Sequence, residues 1–131
     1  MLETVILIVA AVNVGFMAAW LTTGAVENVV HPELNEAFTS GVLDMTKMRE
    51  EWPEAYRHVA YRRISARWLQ IALFRVIVAW ELLAMAGLWV GTAALILATF
   101  GASDGDIAIA LGLIGALLFT TTWSAFLVGG N

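Results

Sequence analysis

The sequence predicts an all-α, polytopic transmembrane helix bundle. Three observations carry that expectation. Sixty per cent of the 131 residues are apolar and only 14% are charged, whereas soluble domains carry roughly 25% charge. A soluble domain this small has too little interior to hide so much apolar surface. The apolar residues also gather in three long runs, each at least the ~20 residues that cross a bilayer as a helix. Finally, only a short polar turn separates the last two runs, which makes them an antiparallel hairpin.

The first span is read over 5–25, from Val5 to Ala25. Met1-Leu2-Glu3-Thr4 ahead of it holds no Lys or Arg, so the run lacks the basic start of a signal peptide and reads as a retained helix. The second span, 69–100, is longer than one straight crossing needs and must tilt, bend or protrude. The third, 107–128, follows the turn Gly101-Ala102-Ser103-Asp104-Gly105-Asp106, with Asp106 expected to cap the helix. The whole chain, 1–131, is taken as one transmembrane domain.

Between the first two spans lies a polar loop, 26–67, bounded internally by Pro32 and Pro53. Within it Leu34, Phe38 and Val42 recur every four residues, the mark of a short amphipathic helix resting on the membrane surface or on the other helices. Six of the seven basic residues also fall there: Lys47, Arg49, Arg57, Arg62, Arg63 and Arg67. A positive-inside count places this loop in the cytoplasm and the N-terminus outside.

Helices in lipid gain little hydrophobic energy from one another, so close backbone approach has to hold them together. Small residues at four-residue spacing offer it: Ala11, Gly15 and Ala19 in the first span, Gly87 and Gly91 in the second, Ala108, Gly112 and Ala116 in the third. Trp20, Trp52, Trp68 and Trp123 suit interfacial positions, while Trp89 lies nearer mid-span and is expected to pack.

The intramembrane polar positions are Glu81, Asn13 and Arg75. A carboxylate inside a span costs about 2.5–3.5 kcal/mol on insertion scales unless it is paired or protonated. Arg75 lies six residues before Glu81, about 120° around the helix, so the two do not form an i,i+4 pair. Arg75 then reaches the interface or another subunit. Partners open to Glu81 are Asn13, Thr120-Thr121-Thr122 with Ser124, or a water molecule. Its simplest role is a structural hydrogen bond or a neutral carboxylic acid; the alternatives are a proton or substrate site, or a contact with a larger complex.

Other chemistry has little support. With no cysteine there is no disulfide framework, Cys-ligated zinc or iron–sulfur cluster. His31 and His58 both lie in the polar loop, so no span offers an imidazole to a haem or chlorophyll. No phosphate loop, His-Glu-x-x-His helix or Ser-His-Asp arrangement is present. The net charge of −4, without a basic run, argues against nucleic acid. No cofactor, metal or catalytic residue is expected.

The segment Asn28-Val29-Val30-His31-Pro32-Glu33-Leu34-Asn35, followed by Ala37-Phe38, Val42-Leu43 and Met45, resembles a family of predicted small bacterial integral membrane proteins of unknown function (domain-of-unknown-function family two-one-six-five). Tyr61 to Glu81 is similar without a gap, through Arg62, Ile64, Leu69, Ala72, Phe74, Ile77 and Glu81. Together these cover about half the chain. The resemblance implies four membrane helices, a long first extramembrane segment and a Gly-Gly near the end of the third span, where Gly129-Gly130 falls. The chain ends at Asn131, directly after an apolar span, so a fourth span is expected to follow in the native protein. Its bases lie in the first loop, where the family is more basic between spans two and three.

These readings lead to an expected function as a noncatalytic accessory or scaffolding subunit of a larger complex of the bacterial inner membrane, respiratory or photosynthetic complexes being candidate hosts. Lipid and other membrane subunits are the expected partners, with Asn28, His31, Asn35, Trp52, Arg62 and Arg63 as contact positions. The alternative is a small proton-coupled carrier that uses Glu81.

Overall fold

The structure, a computed structural model, describes residues 1–129 and is helical through almost all of them. In chain order the elements are α1 (Leu2–Val30), α2 (Pro32–Leu43), α3 (Thr46–Glu51), α4 (Pro53–Val59), a 3₁₀ turn (Ala60–Arg62), α5 (Arg67–Thr99) and α6 (Gly105–Gly129). Helices α1, α5 and α6 are long and apolar enough to cross a membrane. Gly130 of the Gly129-Gly130 pair and Asn131 lie outside the described residues.

The chain divides into two compact units. The first comprises Met1–Val26 and Ala79–Asn131. Its buried positions repeat at alternating three- and four-residue steps: Val14, Ala18, Leu21 and Ala25 on α1; Glu81, Ala84, Leu88, Gly91, Leu95 and Ala98 on α5; Ala108, Gly112 and Gly115 on α6. Alternation of this kind is the general pattern of a seam between helices that cross at a shallow angle, typically about 20°. It follows a heptad rather than the strict four-residue spacing read from the sequence. Ala19 is therefore exposed and Ala116 only half-buried, while Gly115 occupies the seam.

The glycines of α5 and α6 let the two backbones touch. A methyl group at Gly91 would sit 2.8 Å from Gly112 Cα and 2.9 Å from Leu111 O. One at Gly115 would lie 2.9 Å from Gly87 O and 3.0 Å from Leu88 Cα. Gly15 of α1 faces Thr92 of α5 at a looser 3.4 Å. The hairpin turns through Gly101, whose φ of 73° is left-handed. Gly101 N–H donates to Ala98 O and Ala102 N–H to Leu97 O, both at 2.9 Å, the paired bonds that close a helix end through a left-handed residue. Capping of α6 falls to Asp104 rather than the expected Asp106: its Oδ1 accepts from Ile107 N–H at 3.0 Å. With Gly105 as the first helical residue, Asp104 is the one whose side chain reaches the third N–H, and Asp106 lies inside the first turn.

The second unit, Glu27–Val78, contains every Lys and Arg of the protein. What reads in sequence as a polar loop over 26–67 is mostly helix. Nothing in Val26-Glu27-Asn28-Val29-Val30 stops α1, which ends only where Pro32 forces His31 out of the helical region (φ −129°, ψ 59°). Pro32 and Pro53 each sit in the first turn of a helix, where a missing N–H costs nothing and the fixed φ favours the next helix.

Candidate functional site

Within the second unit the charged residues form a clamp. Asp44 follows the last turn of α2, and Arg63 follows the 3₁₀ turn; the Arg63 Nε and Nη2 groups both contact Asp44 Oδ1, at 2.9 and 2.8 Å. Arg49 approaches the other carboxylate oxygen at 3.5 Å, and the Thr46 hydroxyl donates to it at 3.3 Å. The Arg63 hydrogen bond is the largest cause that holds the Asp44 carboxyl below its usual 3.8, with the positive charges of Arg63 and Arg49 adding to it. A second pair lies close by: Arg67, opening α5, binds Glu36 and the Ser40 hydroxyl of α2. Main-chain bonds run in parallel, from Ile64 N–H to Leu43 O at 2.9 Å and from the buried Gln70 amide to Ile64 O at 2.8 Å.

The clamp also explains a strained residue. Met45, between α2 and α3, has φ 53° and is the only non-glycine residue at positive φ among those described. That conformation costs roughly 1–2 kcal/mol, and it persists because the neighbouring carboxylate is held by two arginines and α2 is tied to α5. With Glu36 and Ser40 turned toward Arg67, Leu34, Phe38 and Val42 occupy the opposite face of α2 and are exposed.

In the membrane unit, Glu81 lies in the α5 seam and is buried, as are Thr92 and Thr122. Continuing the antiparallel Gly87–Gly115 contact places Glu81 level with Thr121 and Thr122 of α6. The hydroxyls of Thr120, Thr121 and Thr122 each donate to the carbonyl four residues back, and Thr120, Thr121 and Ser124 are exposed. Trp89 donates its indole N–H to the Thr22 hydroxyl at 2.9 Å, linking α5 to α1. Trp20 of α1 stacks on Trp123 of α6, with ring centroids 5.2 Å apart.

The three intramembrane polar positions are not brought together. Gly15 against Thr92 fixes the α1–α5 register and sets Asn13 far from Glu81 along the bundle. Asn13 instead donates to Val9 O at 2.8 Å on an exposed face of α1. Arg75 is exposed on α5. Of the contact positions, Asn28 lies near the end of α1, and Asn35 is half-buried in α2. His31 is solvated, 3.8 Å from Glu33, while Trp52 and Arg62 are exposed and Arg63 is in the clamp. Sequence reading passed over Asp44, Glu36 and Gly115. The i,i+4 pair Glu36/Ser40 opposite the Leu34/Phe38/Val42 stripe was the available signal for Glu36; nothing local marks Asp44, whose main partner is 19 residues away.

Comparison with curated proteins and with solved structures gives no match. A family model described as predicted small integral membrane protein covers residues 6–131, nearly the whole chain, and the protein therefore belongs to that family, DUF2165.

Proposed function

We propose that this chain is a noncatalytic accessory or scaffolding subunit of a larger complex in the bacterial inner membrane. The observation that carries the reading is Asn13. It lies within the apolar run of α1, inside a ~30 Å hydrocarbon layer, on a face the bundle leaves exposed. One amide N–H is used by Val9 O; the side-chain oxygen and second N–H point outward, where lipid offers them nothing. A neighbouring membrane helix with a hydroxyl, amide or open carbonyl would satisfy them. Such interhelical bonds are worth roughly 0.6–2 kcal/mol.

The test is native extraction followed by two successive purification steps, with partner chains quantified against this one. The expected result is a stoichiometric assembly that Asn13→Leu weakens by about 3- to 30-fold. A chain that migrates alone, indifferent to Asn13→Leu, would overturn the reading. A second reading, a small proton-coupled carrier, is favoured by the buried carboxylate of Glu81. Glu81→Gln separates the two: as a subunit the variant assembles normally and no transport is at stake. Normal assembly with abolished proton-coupled uptake into vesicles would select the carrier.

A further inference from the structure

The arginines of the second unit fall into two groups. Arg49, Arg57, Arg63 and Arg67 each have a carboxylate within salt-bridge distance. Arg62 and Arg75 have none among the described residues; Arg62 is exposed on the 3₁₀ turn, whereas Arg75 is embedded in the apolar sequence of α5. Its helix face is exposed and apolar on both sides: Trp68 is 72% exposed, Val76 is 65% exposed, and Ala72 is exposed between them. At ~100° per residue these four positions share a sector of about 100°. Glu81 lies about 120° away around the helix and is buried, and Glu36 is occupied by Arg67.

Length fixes the depth of that face. From Arg75 to Thr99 is 24 residues, about 36 Å of helix. The distal end is marked by exposed Phe100 and the polar turn containing Ser103 and Asp104. Measured from there, ~30 Å of hydrocarbon ends several residues short of Arg75. Its side chain extends further in the same direction, because helical side chains lean toward the N-terminus. The guanidinium thus reaches the layer of lipid phosphates, with Trp68 beyond it, the aromatic residue that favours such interfaces. A guanidinium fork matches a phosphate diester in charge and geometry.

We infer that Arg75, flanked by Trp68, Ala72 and Val76, is a binding site for the phosphate of an anionic phospholipid headgroup. The site sets the depth of α5 in the bilayer and is independent of whether the chain is a subunit or a carrier.

The experiment uses the full chain in nanodiscs of phosphatidylglycerol and phosphatidylcholine, with retained lipid counted by mass spectrometry of the intact complex. The expected result is about a fivefold preference for phosphatidylglycerol, which falls as salt is raised. Arg75→Gln abolishes the preference and Arg75→Lys, which keeps the charge, preserves most of it; helical melting curves verify that both variants fold. Equal retention of the two lipids by the unaltered chain, or a preference that ignores salt, overturns the proposal. So does an undiminished preference in Arg75→Gln. Displacement of the lipid by excess inorganic phosphate at matched ionic strength also overturns it, by making the site one for a soluble anion.

Discussion

The two units of this protein are held together by opposite means. The membrane unit relies on backbone proximity at Gly87, Gly91, Gly112 and Gly115. The Glu27–Val78 unit has little buried apolar surface in its short helices and relies on Asp44, Arg63, Glu36 and Arg67. The difference follows from the solvent. Lipid solvates leucine as well as another leucine does, so only closer packing favours one helix against another. Outside the hydrocarbon, charges keep their hydration until they pair, and each exposed pair contributes little alone. A network spread over several elements is then needed to hold four short helical pieces in place.

The largest effect should come from filling the glycine contact. Gly91→Ala places a methyl group against backbone atoms of α6 that cannot step aside, and overpacking of this kind costs about 1–3 kcal/mol. Gly24→Ala and Gly41→Ala meet nothing within 4 Å and should gain up to about 1 kcal/mol from helix propensity. Denaturation in detergent micelles, followed by circular dichroism, compares the three. Equal responses would show that the glycines are not the means of cohesion.

A smaller effect is expected at the clamp. Asp44→Asn removes the acceptor charge shared by Arg63 and Arg49 and should raise amide exchange around Ile64 by no more than about fivefold. The same bond gives a pH dependence. The folded-state pKa of Asp44 is lowered, so its contribution is present above the unfolded value of 3.8 and is lost as pH falls through the lower folded value. Exchange at Ile64 should therefore rise below about pH 4, a rise absent in Asp44→Asn. The membrane unit's glycine contact should show no such acid response.

The smallest effect concerns the polar link inside the membrane unit. Trp89→Phe removes the hydrogen bond to Thr22 and should cost about 0.6 kcal/mol, the usual value between membrane helices. A loss comparable to that of Gly91→Ala would mean that hydrogen bonding, not proximity, dominates the bundle.

The sequence by itself determined the three long helices, their hairpin and the amphipathic stripe of α2, because length and apolar periodicity are local properties that lipid turns directly into helix. It also marked Gly15, Gly87, Gly91 and Gly112, since small residues at helical spacing have few other uses in a span. It did not determine the seam. Whether Gly115 or Ala116 faces α5 depends on how a helix of 3.6 residues per turn drifts against its neighbour, and only the packed hairpin sets that register. Nor did it show that the polar segment is a clamp of helices, because Asp44 meets Arg63 and Glu36 meets Arg67 across chain separations of 19 and 31 residues. The exposure of Asn13 and Arg75 was decided in the same way: a polar residue in a span can face inward or outward, and only the position of the other helices chooses.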